Sequence, residues 1–142
     1  MYVFDSDHLI IAQQRYEPYS GQLQAKIAAT KEEDVFLTVV SVHEQMLGAN
    51  NFISQARDRK NVVRGYRMIE AAMIDYEQYR ILPFDEPAAI QFEELRKQGV
   101  RVGTMDLRIT SIALSNDCTV LTRNTVDFER VPGLRFEDWT IG

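Results

Sequence analysis

At 142 residues, with 45% apolar and 26% charged side chains, the chain has the composition of one ordinary soluble globular domain, not of a disordered segment. A formal net charge of −5, from 16 basic and 21 acidic residues, argues against a generic DNA-binding protein. No apolar run approaches the ~20 residues of a membrane-spanning helix, the charged opening lacks the basic region of a signal peptide, and the single cysteine, Cys118, suits a reducing cytosol. The expectation is a single domain over residues 1–142, cytoplasmic and without a membrane partner.

In chain order, Tyr2 to Phe4 reads as a first strand that ends at Asp5-Ser6-Asp7, and Leu9-Ile10-Ile11 begins a helix. Asp5 thus stands where the carboxyl end of a strand hands over to a helix, the crevice in which open α/β sheets bind ligands. The plainer reading is that Asp5, Ser6 and Asp7 only cap the helix. A turn at Pro18-Tyr19-Ser20-Gly21 precedes a helix over 22–30. Residues 35–40, nearly continuously apolar, read as a second strand buried on both faces. Ser41-Val42-His43-Glu44 then has the form of a capping box, opening a helix that is interrupted or ends near Gly48 to Asn51. His8 and His43 read as packing or surface residues, not ligands.

Val62, Tyr66, Ile69, Met73 and Tyr76 form one apolar stripe at helical spacing, core-like in composition and a candidate arm for packing on a partner. Residues 81–84 are a third strand, and Asp85 caps a helix over 86–98 that stops at Gly99. Thr104 reads as the next N-cap, with Asp106 in the first turn. Leu107, Ile109, Ile112, Ala113 and Leu114 make that helix apolar on more than one face. A strand over 119–122 follows, Arg123-Asn124-Thr125 turns the chain, and Asp127 falls in the loop beyond. Residues 134–136 are a last edge strand, and Trp139 covers a core edge. This order implies a parallel central sheet with helices on both faces.

Asp5, Glu44, Asp106 and Asp127 all fall at strand-to-helix junctions, helix N-termini or the loop after a strand, positions that a parallel sheet brings to one edge. Carboxylates gathered there raise one another's pKa unless a cation intervenes. Mg²⁺ or Mn²⁺ takes oxygen ligands, and can activate a water and hold the charge that grows on a phosphoryl oxygen. No Ser–His–Asp or Cys–His set, GxSxG, P-loop or GxGxxG competes. Arg57, Arg59, Lys60, Arg64 and Arg67 stand against the lone acid Asp58. They are either a solvated helix start or a phosphate-contacting rim beside the acids. Acids and basic rim together point to metal-dependent cleavage of a phosphodiester.

At these residues the sequence resembles the PIN-domain ribonucleases, and in particular the VapC-type toxins of bacterial toxin–antitoxin pairs. The resemblance rests on Phe4-Asp5-Ser6-Asp7 with Leu9-Ile10, on Thr38-Val39-Val40-Ser41-Val42-His43-Glu44 with Gly48, and on Asp106-Leu107-Arg108-Ile109 with Ala113-Leu114. It continues through Leu121-Thr122-Arg123-Asn124, Asp127-Phe128, Val131-Pro132-Gly133-Leu134 and Glu137-Asp138-Trp139. It implies a three-layer α/β/α fold and an Mg²⁺- or Mn²⁺-dependent endoribonuclease. Asp5, Glu44, Asp106 and Asp127 would then be the catalytic, metal-holding acids, with Ser6 and Asn124 orienting them. RNA is the implied substrate, with Arg57, Arg59, Lys60 and Arg64 as candidate contacts. A homodimer and a VapB-type antitoxin are the implied partners. Two departures stand out: Asp7 where Asn is more usual, and Gln45 where an apolar residue is common. Two other readings compete, a catalytically silent scaffold of the same fold and an aspartyl-phosphate phosphatase using Asp5 as nucleophile.

Overall fold

Side-chain alternation along three short strands builds the centre of the molecule, a computed structural model that describes residues 1–15 and 17–142. Strand β1 (Tyr2–Phe4) pairs in parallel with β2 (Val35–Thr38) and with β4 (Thr119–Leu121). The register sets Val3 beside Phe36 and Val120, and Phe4 beside Leu121. Successive residues point to opposite faces, so each row enters a different core layer. Phe4, Val35, Leu37 and Leu121 pack with Leu9, Ile11, Leu23 and Trp139 on one face. Val3, Phe36 and Val120 pack with Ala113, Cys118 and Phe128 on the other. These central strands are apolar apart from Thr38 and Thr119 at their ends because both faces are covered. Strands β3 (Arg80–Leu82) and β5 (Phe136–Glu137) complete an all-parallel sheet of order β3-β2-β1-β4-β5.

Helices α1 (Ser6–Gln14) and α2 (Tyr19–Ala28) supply Leu9, Ile11 and Leu23 to the first layer. Helices α5 (Glu86–Lys97) and α6 (Thr104–Ser115) pack on the opposite face, where Ala88, Ile109 and Ile112 form a cluster with Val40. Between β2 and β3, α3 (Val39–Gln55) and α4 (Arg59–Tyr76) form an antiparallel hairpin. Gly65 sits so close to α3 that a Cβ there would collide with Ile53 and press on Phe52. A short helix, α7 (Thr125–Phe128), follows β4. The parallel sheet with helices on both faces expected from the element order, and the three-layer α/β/α fold implied by the resemblance, are observed.

Several boundaries differ from the sequence reading. The second strand stops at Thr38, because the Thr38 hydroxyl accepts the Ser41 N–H at 3.1 Å and starts α3 at Val39. The capping box expected at Ser41 therefore does not form; Ser41 lies inside the helix and Glu44 is free to bond elsewhere. Helix α3 does not end near Gly48. Glycine there costs about 1 kcal/mol of helix propensity, too little to break a helix packed along α4. Gly103, not Thr104, is the N-cap of α6, with its carbonyl accepting the Leu107 N–H at 2.8 Å. Asp127 lies in α7 and not in a loop. The α4 stripe is core only in part: Val62, Tyr66 and Met73 are exposed, Ile69 and Tyr76 are half-buried with Tyr76 against the first core layer, and the fully buried residues of α4 are Gly65 and Ala72. The inward face of α4 uses small residues so that α3 can approach.

Candidate active site

The sheet order places β1 and β4 side by side, with β2 and β3 beyond one and β5 beyond the other. That reversal opens a crevice at the carboxyl ends of the strands. Asp5 is the first residue past β1. It caps α1, accepting the Ser6 N–H at 2.7 Å, and it also accepts the Thr122 hydroxyl at 2.8 Å from the end of β4. One carboxylate thus both caps α1 and ties the end of β1 to the end of β4. Asp5 is only 5% exposed. Burial, then the charges of Asp7 and Asp106, push its carboxyl up to about 7.

Glu44 projects from the second turn of α3 and accepts the Ser6 hydroxyl at 2.9 Å. Asp106 comes from the first turn of α6, whose N-terminus lies at the strand ends because α6 runs back along β4. Its carboxyl is pushed up by burial and then by Glu44, Asp127 and Asp7. Asp127, on α7, accepts the Asn124 amide at 2.9 Å and faces Arg130 at 3.6 Å. The fold therefore brings the four sequence-predicted acids into one electrostatic neighbourhood, with Ser6 and Asn124 in contact with two of them. They do not close into a cage: among the described residues, no three acidic, His or Cys side chains stand tightly enough to be a ready-made metal site.

What the crevice lacks is compensation. Among the described residues, Asp5, Glu44 and Asp106 form no ion pair. Oxygen donors whose charges push the Asp5 and Asp106 carboxyls up, with no imidazole or thiolate among them, suit a hard divalent cation better than zinc. The basic cluster is elsewhere. Arg59, Lys60, Arg64 and Arg67 line a shallow recess at the start of α4. That recess sits at the far end of the α3–α4 hairpin, the eleven-residue span from Glu44 to Gln55 being roughly 16 Å of helix. The rim expected beside the acids is therefore joined to them by α3 and does not border them. A groove of about 460 Å³, lined by Ser6, Ile10, Glu44, Gln45, Met68 and Asp75, leads out of the crevice between α1, α3 and α4. Sequence reasoning missed Thr122, whose signal was a hydroxyl directly after an apolar strand.

A parallel α/β/α domain with an acid-lined switch-point crevice is the class of protein defined by this architecture. The PIN domain family model matches residues 2–134, and the chain belongs to that family. It is 30% identical to the tRNA(fMet)-specific endonuclease VapC of Salmonella typhimurium over 107 residues, 72% of this chain and 74% of the relative. It is 29% identical to Toxin FitB of Neisseria gonorrhoeae over 131 residues, 87% of this chain and 91% of the relative. Its fold matches that of a chain in the DNA-bound VapBC crystal structure from Salmonella typhimurium, with a TM-score of 0.77, 23% identity and 97% coverage of both chains.

Proposed function

We propose that this chain is the toxin of a two-component toxin–antitoxin module and acts as an Mg²⁺- or Mn²⁺-dependent endoribonuclease. The observation that carries the reading is the charge coupling of Asp106 with Asp5, Glu44 and Asp127 at the strand ends, without an ion-pair partner for Asp5, Glu44 or Asp106 among the described residues. The names of the relatives, an endonuclease and a toxin, support it. Asp5, Glu44 and Asp106 would hold one cation, and Asp127 a second ion or a water. When bound, a divalent cation supplies a Lewis acid for water and for the charge that develops on phosphate. The protein's own share is orientation: Ser6 fixes Glu44, Thr122 fixes Asp5, and Asn124 fixes Asp127. Arg57, Arg59, Lys60 and Arg64, remote from the crevice, are suited to phosphates that flank the scissile one. The exposed apolar residues of α4 suit burial by a VapB-type antitoxin or a second copy of the chain.

Incubation of the purified chain with total tRNA and ribosomal RNA, in Mg²⁺, Mn²⁺ or EDTA, tests the proposal against Asp106→Asn. Discrete metal-dependent cuts that vanish in the variant are the expected result. Cleavage that persists in EDTA or in the variant would overturn it.

A further inference from the structure

His8 is fully buried on α1, and the proposed reaction makes no use of it. Its two nitrogens are both engaged. The Trp139 backbone N–H donates to Nε2 at 3.0 Å, so Nε2 is an acceptor, and the ring proton lies on Nδ1. Asp138 Oδ1 stands 3.4 Å from the same nitrogen, but it already accepts both the N–H and the hydroxyl of Thr140. Nδ1–H donates to Asp7 Oδ1 at 2.9 Å. The other oxygen of Asp7 accepts the Arg123 backbone N–H at 2.9 Å, and the Thr122 hydroxyl lies 3.4 Å from it. The line of bonds continues, because Asn124 N–H donates to the Thr122 hydroxyl at 2.9 Å and the Asn124 amide holds Asp127.

We propose that His8 is a positioning residue which, through Asp7, sets the segment 122–124 and with it Asn124 and Asp127. The inference rests on the nuclease reading for its catalytic consequence and on geometry for the rest. It also accounts for the acid at position 7. The two groups that bond most closely to that side chain, His8 Nδ1–H and the Arg123 N–H, are donors on opposite oxygens, and an amide there would turn its own N–H toward one of them. The carboxylate and the Nδ1–H tautomer require each other, and Trp139 selects the tautomer from the opposite side of the ring. Asp7 is thus a bracket between α1 and the end of β4, separate from the ligand role of Asp5.

Two substitutions separate the two sides of the ring. The Asn amide falls near Nδ1 and can still donate to Asp7, whereas Gln reaches only the Nε2 position and can still accept from Trp139. Each leaves one partner unpaired, so a merely structural role predicts similar effects from both. Positioning through Asp7 predicts that His8→Asn keeps Arg123 amide hydrogen exchange and kcat within about threefold of wild type. For His8→Gln it predicts at least tenfold faster exchange at Arg123 and a tenfold lower kcat with KM little changed. Equal effects in the two variants, or none, would overturn the proposal. Should neither variant fold, nitrogen NMR of wild-type His8 decides: a protonated Nδ1 with a bare Nε2 supports it, and the opposite tautomer or a doubly protonated ring refutes it. If wild type cuts no RNA, the exchange readout still decides for His8, and only the nuclease reading fails.

Discussion

Thr122 donates its hydroxyl to Asp5 across 117 positions of sequence, at 2.8 Å, and so fixes the end of β4 to the end of β1 at the base of the crevice. Among the described residues, this bond and one from the Ser6 backbone pull the Asp5 carboxyl toward its ordinary range. Burial and the neighbouring acids outweigh both. The crevice thus holds charge that the fold alone does not neutralise, which is the condition a cation site needs.

Removing that charge should stabilise the metal-free protein. In the unfolded chain Asp5 ionises near 3.8, and in the folded chain near 7. Between those values the folded state binds the extra proton, so stability falls as pH rises through the window, by on the order of 4 kcal/mol for this group alone. Asp106 is shifted in the same direction. Thermal melts in EDTA should show a Tm lower at pH 8 than at pH 5 for wild type, and a smaller difference for Asp5→Asn. Added Mg²⁺ should raise the wild-type Tm more at pH 8 than at pH 5. A wild-type Tm that does not fall between the two pH values would sink the argument.

Thr122→Val removes the donor to Asp5 and leaves the Asn124 N–H without its acceptor. Outer contacts of this kind are worth about 10- to 100-fold in activity or metal affinity. Thr122→Ser keeps the hydroxyl and should retain most of the cleavage rate. Metal titrations and initial rates on the three proteins provide the comparison, and equal losses in Val and Ser variants would assign Thr122 to packing alone.

Ser6→Ala tests the other arm. Its hydroxyl donates to Glu44 at 2.9 Å and lies 3.3 Å from the Ser41 hydroxyl. Losing it should cost roughly tenfold in rate at saturating metal, with stability changed by about 1 kcal/mol. A rate loss matched by an equally large loss of stability would point to a folding defect instead.

Much of this arrangement was legible in the sequence because it depends on periodicity and on where acids fall relative to strand ends. The apolar runs read at 2–4, 35–40 and 119–122 stand out because the strands within them are buried on both faces; Asp5 follows from the first, and Asp106 from the helix start at Thr104. Local chemistry was less legible. Val39 and Val40 are β-branched and read as strand, yet a single threonine cap at position 38 makes them helix. Ser41 and Glu44 carry the pattern of a capping box, and only tertiary structure shows that Ser6, 38 residues away, takes the Glu44 carboxylate. The same limit hid His8: Asp7 is its neighbour in sequence, but Trp139, on the other side of the ring, is brought to it only by the fold. The α4 stripe reads as core-like because hydrophobic periodicity reports an apolar face without saying what covers it.

That face gives the last prediction. Tyr66 and Met73 lie two turns apart on α4 and are 55% and 60% exposed. Apolar side chains that open to water contribute little to monomer stability, so Tyr66→Glu with Met73→Glu should change it by about 0.5 kcal/mol or less per site. The cost should appear in association. Burying such a stripe against a partner excludes water from it, and a carboxylate placed there must be desolvated without a counter-charge. Light scattering should find wild type self-associated at micromolar concentration and the double variant at monomer mass, both with cooperative melts. If both proteins have the same mass, the α4 face is not the contact between copies, and co-purification with the antitoxin is then the measurement that assigns it.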